Sequence, residues 1–257
     1  MTLGPLPLFP GQSARHGSLR APDACIIQRL TMANRAYLRV WTRDFSEQTM
    51  IAEFARFLTT APVADPPDGF QLLSVQPVDY TEPSEVEWDL REGGFGPPEI
   101  AALAMQQLNS DTAYIVEAKW KLWNFDGETL NWKNSPQPLT LICQGTGFDG
   151  GAAATEGHFV ADLGFEHSFT GHAGLLAPEA ASDPFASSDH PVEKRFRAWM
   201  GSSENLRQYH QRTRENIQTL FGWVEAIQAA LPVERSVLTS EGEENFEARL
   251  DAILAQR

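Results

Sequence analysis

The sequence predicts an α+β fold: a ferredoxin-like (βαββαβ) antiparallel sheet extended by extra hairpin strands, with C-terminal helices packed on it. Three observations predict it. Between residues 33 and 125 the apolar pattern switches between the strand period of two and the helix period of about 3.6, in the order strand, helix, strand, strand, helix, strand. Alternating segments at 129–134, 138–146 and 157–173 then add further strands. From Glu193 onward the pattern is helical.

Each element follows from its residues. Tyr37, Arg39, Trp41 and Arg43 alternate with Leu38, Val40 and Thr42, as a strand requires. Asp44 or Ser46 then offers an N-cap, and Met50, Ile51, Phe54, Phe57 and Leu58 fall on one helical face before Pro62 stops it. FQLLSVQPVDY reads as the second strand. EVEWDL reads as the third, with Val86, Trp88 and Leu90 on one side and Glu85, Glu87 and Asp89 on the other. GGFGPP breaks the chain, and Pro97 or Pro98 opens a helix with Ile100, Leu103, Ala104 and Leu108 along one side.

A long strand, TAYIVEAKWKLWNF, is folded at Asp126-Gly127 into a hairpin with ETLNW. PLTLICQG and GHFVADLGFEHSFTGH supply the remaining expected strands. After a short helix at Glu193–Trp199, the residues Leu206, Tyr209, Ile217, Leu220, Phe221, Val224, Ile227 and Leu231 mark a long amphipathic helix that Pro232 stops. Its apolar seam fits packing on its own sheet and fits a homodimer through the same helix. A final helix carries Phe246, Leu250, Ile253 and Leu254.

Residues 1–31, rich in Pro, Gly and Ser, read as a loosely packed N-terminal tail. Residues 32–257 read as a single α+β domain, with a sheet core at 32–175 and a helical C-terminal part at 191–257. Hydrophobic residues make up 42%, with seven Trp and fifteen Phe, the composition of a globular chain. No apolar run approaches the roughly 20 residues of a bilayer span, and Pro5, Pro7 and Pro10 interrupt the first apolar patch. The expectation is a soluble, cytoplasmic protein without a membrane partner. Cys25 and Cys143 form no metal-like spacing, and Cys143 within LTLIC reads as a buried small hydrophobe. No cofactor is expected.

The net charge of −14 is concentrated. Asp79, Glu82, Glu85, Glu87, Asp89 and Glu92 stand against Arg91 alone, and no Lys or Arg occurs from Ala152 to His190. Such a field repels nucleic acid and attracts a basic protein.

Two stretches carry candidate chemistry. In residues 157–172 a straight strand places Phe159, Ala161, Leu163, Phe165, His167 and Phe169 on an apolar face, and His158, Asp162, Glu166 and His172 on the other. His158, Asp162 and Glu166 recur every four residues, about 13 Å apart along a strand. That is too far for joint ligation of one metal at about 2 Å, so no metal is expected. The weak catalytic candidates are His158, Asp162, Glu166, His167 and His172. Arg39, Trp41 and Arg43, with Tyr37 and Phe45, are weak ligand-binding candidates, because alternating aromatic and guanidinium groups stack on planar ligands. The acidic balance argues against nucleic acid even so. GTGFDGG lacks the Gly-Lys-Ser/Thr ending of a phosphate loop, and neither Gly-x-Ser-x-Gly nor His-Glu-x-x-His occurs.

These features favour an acidic protein-binding module without catalytic activity, immunity- or antitoxin-like in the manner of bacterial proteins that neutralise basic nucleases. The rival is a small-molecule-binding protein or enzyme with a His/acid site around residues 158–172. Convergence of those side chains in a cleft separates the two.

Overall fold

The computed structural model describes residues 34–171 and 191–255. The expected tail at 1–31, Cys25 and His172 lie outside the described residues.

The element order is β1 (Arg35–Thr42), α1 (Glu47–Thr60), β2 (Phe70–Pro77), β3 (Val86–Asp89), α2 (Pro97–Met105), β4 (Thr112–Asp126), β5 (Asn131–Gln144), β6 (Phe159–Phe165), α3 (Pro191–Met200), α4 (Ser203–Ala230), β7 (Val233–Ser240) and α5 (Phe246–Ala255). Single helical turns occur at Ala153–Glu156 and His167–Thr170. The strands form one seven-stranded sheet in the order β3-β2-β4-β5-β6-β1-β7, antiparallel at every pairing.

The α+β class and the antiparallel sheet are as the sequence predicts, but the strand order is not the ferredoxin-like one. That arrangement sets β1 between β3 and β4; here β2 lies there, and β5 and β6 separate β1 from β4. The reason is the length of the β4–β5 hairpin, paired from Asp126↔Asn131 to Ala113↔Gln144. It occupies the edge of β4 that β1 would need. β6 then adds to β5, and β1 closes on β6.

The two strands expected at 129–134 and 138–146 are one continuous β5. Pro136 and Pro138 sit within it because β6 pairs only with Thr140–Cys143, so beyond that segment no neighbour needs their missing N–H. The C-terminal part is not wholly helical either. Val233–Ser240 is a strand that extends the sheet beyond β1, from Trp41↔Arg235 to Ala36↔Ser240.

Helix α1 is capped as expected. The Ser46 N–H donates to Thr49 Oγ1 at 3.1 Å, and Met50, Ile51, Phe54, Phe57 and Leu58 are buried. The core lies between one sheet face and the helices: Leu38, Val40, Tyr114, Val116, Trp120, Leu139, Leu141, Phe159 and Ala161 from the sheet meet Phe54, Phe57, Ile217, Leu220, Trp223 and Ile253. Helix α4 runs 28 residues, about 42 Å at 1.5 Å per residue. Its Tyr209, Ile217, Leu220, Trp223 and Ile227 are buried inside the chain, with the Trp223 ring 5.9 Å from both Phe57 and Trp120. The seam therefore packs on the protein's own sheet. No helix among the described residues is long and apolar enough to cross a membrane.

The opposite sheet face is the more open one. Reading the register across it, Asp89, Leu72, Glu117, Thr140, Asp162, Tyr37 and Thr239 form one transverse row. The next row runs Glu87, Ser74, Ile115, Ile142, Val160, Arg39 and Val237.

Candidate binding surface

The 157–172 stretch does not form one strand face. β6 ends at Phe165, after Gly164 at φ 85, and the chain turns helical at His167. The expected alternation therefore stops before Glu166 and His167. His158 Nδ1 accepts the Thr42 N–H at 3.0 Å, and its ring stacks on Phe45 at 4.1 Å. In a neutral ring that bond assigns the proton to Nε2. Burial lowers its pKa, against the opposing pull of Glu234. Thr42 in turn donates its hydroxyl to the buried Glu53 Oε2 at 2.6 Å.

The acids are engaged elsewhere. Asp162 holds Arg35 at 2.6 Å and accepts the Gly164 N–H at 3.0 Å. Glu166 is buried and accepts the Gly242 N–H at 3.1 Å together with the Ser240 hydroxyl. Each side chain fastens a different junction: His158 the end of β1, Asp162 the start of β1, and Glu166 the turn after β7. Among the described residues no group of three or more His, Cys, Asp or Glu is placed to hold a metal. Cys143 is fully buried, and burial raises its thiol well above the usual range, so it is a core residue.

His167 stacks on Phe165 at 5.5 Å, and burial pushes its pKa down from 6.5 to about 4. The folded state holds it neutral, so the unfolded chain takes up the proton first as pH falls. This contribution is complete above pH 6.5 and is lost between 6.5 and about 4. Urea denaturation at about pH 7 and about pH 4.5 should show a loss of roughly 1–3 kcal/mol that His167→Gln reduces. Equal pH slopes in the two proteins would refute the assignment.

The arginine–aromatic candidates divide. Arg39 and Trp41 lie on the open face of β1, beside Arg235 and Val237 of β7. They line a shallow concavity of about 460 Å³ with Tyr37, Glu156 and Glu241. Its polar groups are largely engaged. Arg39 forms an ion pair with Glu156, the Tyr37 hydroxyl donates to Glu241 at 2.9 Å, and Trp41 Nε1 donates to the Ala154 carbonyl at 3.0 Å. The Arg235 guanidinium stands 3.6 Å from the centre of the Trp41 ring, which is only 7% exposed. Little of the indole is offered to a ligand. Arg43 lies beyond the end of β1, exposed, with its N–H on the Pro232 carbonyl at 2.9 Å.

The acidic segment is exposed as its alternation predicts. Glu87 and Asp89 on edge strand β3 and Glu85 just before it are exposed, while Val86 and Trp88 are half-buried and Leu90 is buried. Asp89 pairs with Arg91, whereas among the described residues no Lys, Arg or His side chain forms an ion pair with Glu85, Glu87 or Glu117. The pair with Arg91 holds the Asp89 carboxyl down at about 2.

Sequence reasoning missed four residues at the adjoining end of the sheet. Val78 and Tyr80 read as the end of a strand, but β2 stops at Pro77. Leu108 read as part of a helical face, but α2 stops at Met105. All four of Val78, Tyr80, Met105 and Leu108 are exposed. The signals present were Pro77, which interrupts ladder donation, and Asn109-Ser110, which favours a turn. No family model matches this chain, and no curated protein or solved structure matches it.

Proposed function

We propose that this protein is a binding module without catalytic activity, in the manner of an immunity or antitoxin protein, whose acidic sheet edge meets a basic protein. The observation that carries the reading is the exposure of Glu85, just before β3, Glu87 on β3 and Glu117 on β4, without a cation in ion-pair distance among the described residues. These carboxylates are fixed at one edge of the sheet and concentrate negative potential there. Their mutual repulsion is relieved when a cationic partner arrives, which favours fast, salt-sensitive association. The rival reading requires histidines and acids to converge, and His158, Asp162 and Glu166 each serve a separate junction.

The test is binding of an oligolysine peptide, followed by calorimetry at low and high salt. The variant Glu85→Lys/Glu87→Lys/Glu117→Lys is compared with Glu225→Lys/Glu244→Lys/Asp251→Lys, which changes net charge equally at exposed positions of the helical side. The first should weaken binding by about tenfold or more, and the second far less. Equal weakening in both would reduce the effect to net charge and end the proposal.

A further inference from the structure

We propose that Val78, Tyr80, Met105 and Leu108 form a docking site for a protein segment that carries a large apolar side chain flanked by lysine or arginine. The inference rests on the basic-partner reading and locates the anchor of that interaction.

Val78 is 53% exposed, Met105 49%, Tyr80 46% and Leu108 37%, the large apolar side chains that stand most open among the described residues. They occur at one end of the sheet, where three loops are tied together. The Val78 N–H donates to the Asp111 carbonyl at 2.8 Å, and the Val78 carbonyl accepts the Asp149 N–H at 2.7 Å. Gly147 N–H donates to the Ser110 carbonyl at 2.7 Å, and the Tyr80 ring meets Phe148 edge-on at 4.9 Å. The loop that carries Leu108 is pinned by Tyr114, whose hydroxyl donates to the Gln107 carbonyl at 2.7 Å and accepts the Asn109 N–H at 3.2 Å.

These contacts hold in place the loops that carry Val78, Tyr80 and Leu108. Val78 lies at φ 63, a left-handed conformation that β-branched residues rarely adopt. Both of its backbone groups are held by the neighbouring loops, and its side chain stays in solvent. Gly145 permits the close approach: a Cβ there would lie 2.4 Å from the Ser110 carbonyl oxygen. A rigid apolar surface loses little entropy when covered, which is the property of an interface anchor.

The rim states the partner's chemistry. Asp79, Glu82, Asp111 and Asp149 stand in the same three loops. From Phe57 to Ala118 the one cation is Arg91, already paired with Asp89, and residues 145–156 contain none. Arg39 lies near enough to Tyr80 to act on its hydroxyl, but it is already paired with Glu156. An apolar centre with a predominantly acidic rim complements an apolar residue between cations. The same rim repels nucleic acid and anionic lipid.

The test uses the full chain and two lysine-rich peptides of equal charge, one with a central tryptophan and one with serine in its place. The tryptophan peptide should bind the wild type about tenfold or more tightly than the serine peptide. Tyr80→Ser/Met105→Ser should abolish that gap while leaving the serine peptide's affinity and the thermal midpoint unchanged. Equal binding of both peptides to the wild type overturns the docking site but leaves the acidic binding module standing. A gap that survives the double substitution places the anchor elsewhere and also overturns it. Binding of neither peptide ends both proposals.

Discussion

Phe159→Ala should lower the unfolding free energy by about 3–5 kcal/mol. Phe159 is wholly buried at the start of β6, where it pairs with Val40 of β1 and Cys143 of β5. Its ring stacks 5.2 Å from Phe57 and 6.4 Å from Phe54, and meets Phe45 edge-on at 5.6 Å. Strands on both sides hold its backbone, so the space left by the ring cannot close by local collapse, and the cavity cost adds to the lost burial. Guanidinium unfolding is the measurement. Phe159→Leu, which keeps most of the volume, should cost much less. A loss below about 1 kcal/mol for the alanine variant would mean that β6 is not packed between β1 and β5.

Asn216→Leu should cost about 3 kcal/mol or more, although it replaces a polar residue with an apolar one of similar size. Asn216 is 1% exposed in the middle of α4. Its Oδ1 accepts the Trp123 N–H at 2.8 Å, and its Nδ2 donates to the Trp123 and Ser168 carbonyls, each at 2.9 Å. One side chain thus fastens the long helix to the β4 backbone and to the turn at His167–Thr170. Leucine would take the partner from one donor and two acceptors beneath a side chain that is itself almost wholly buried. Asn216→Asp should also fall below the wild type, and further as the carboxylate ionises, because the charged group has no donor for the Trp123 and Ser168 carbonyls. Denaturant midpoints of the three proteins check the order. If leucine proves neutral, the helix is positioned by its apolar seam alone.

These two residues differ in how readable they were. Phe159 stood out at once as an apolar residue in an alternating strand. Asn216 looked like any polar residue of an amphipathic helix, because its value lies in backbone groups of Trp123 and Ser168, distant in sequence. The candidate site divides in the same way. Exposure of Glu85, Glu87 and Asp89 followed from strict alternation with Val86, Trp88 and Leu90. The separate duties of His158, Asp162 and Glu166 did not, since Thr42, Arg35 and Ser240 come from other strands. The strand at Val233–Ser240 was hidden because VERSVLTS follows a helix stop and alternates weakly.

By itself the sequence determined the identity of most elements, the apolar face of α1 and α4, and the outward line of acids on β3. All of these depend on periodicity within one segment, where neighbours along the chain are also neighbours in space. Tertiary structure alone decided the strand order, the end of β2 at Pro77, the partners of the histidines and the exposure of Val78, Tyr80, Met105 and Leu108. Those depend on contacts between segments distant in sequence. For the strand order the physical reason is loop closure: the β4–β5 hairpin closes over a short loop at little entropic cost, whereas pairing β1 with β4 would close a far longer one.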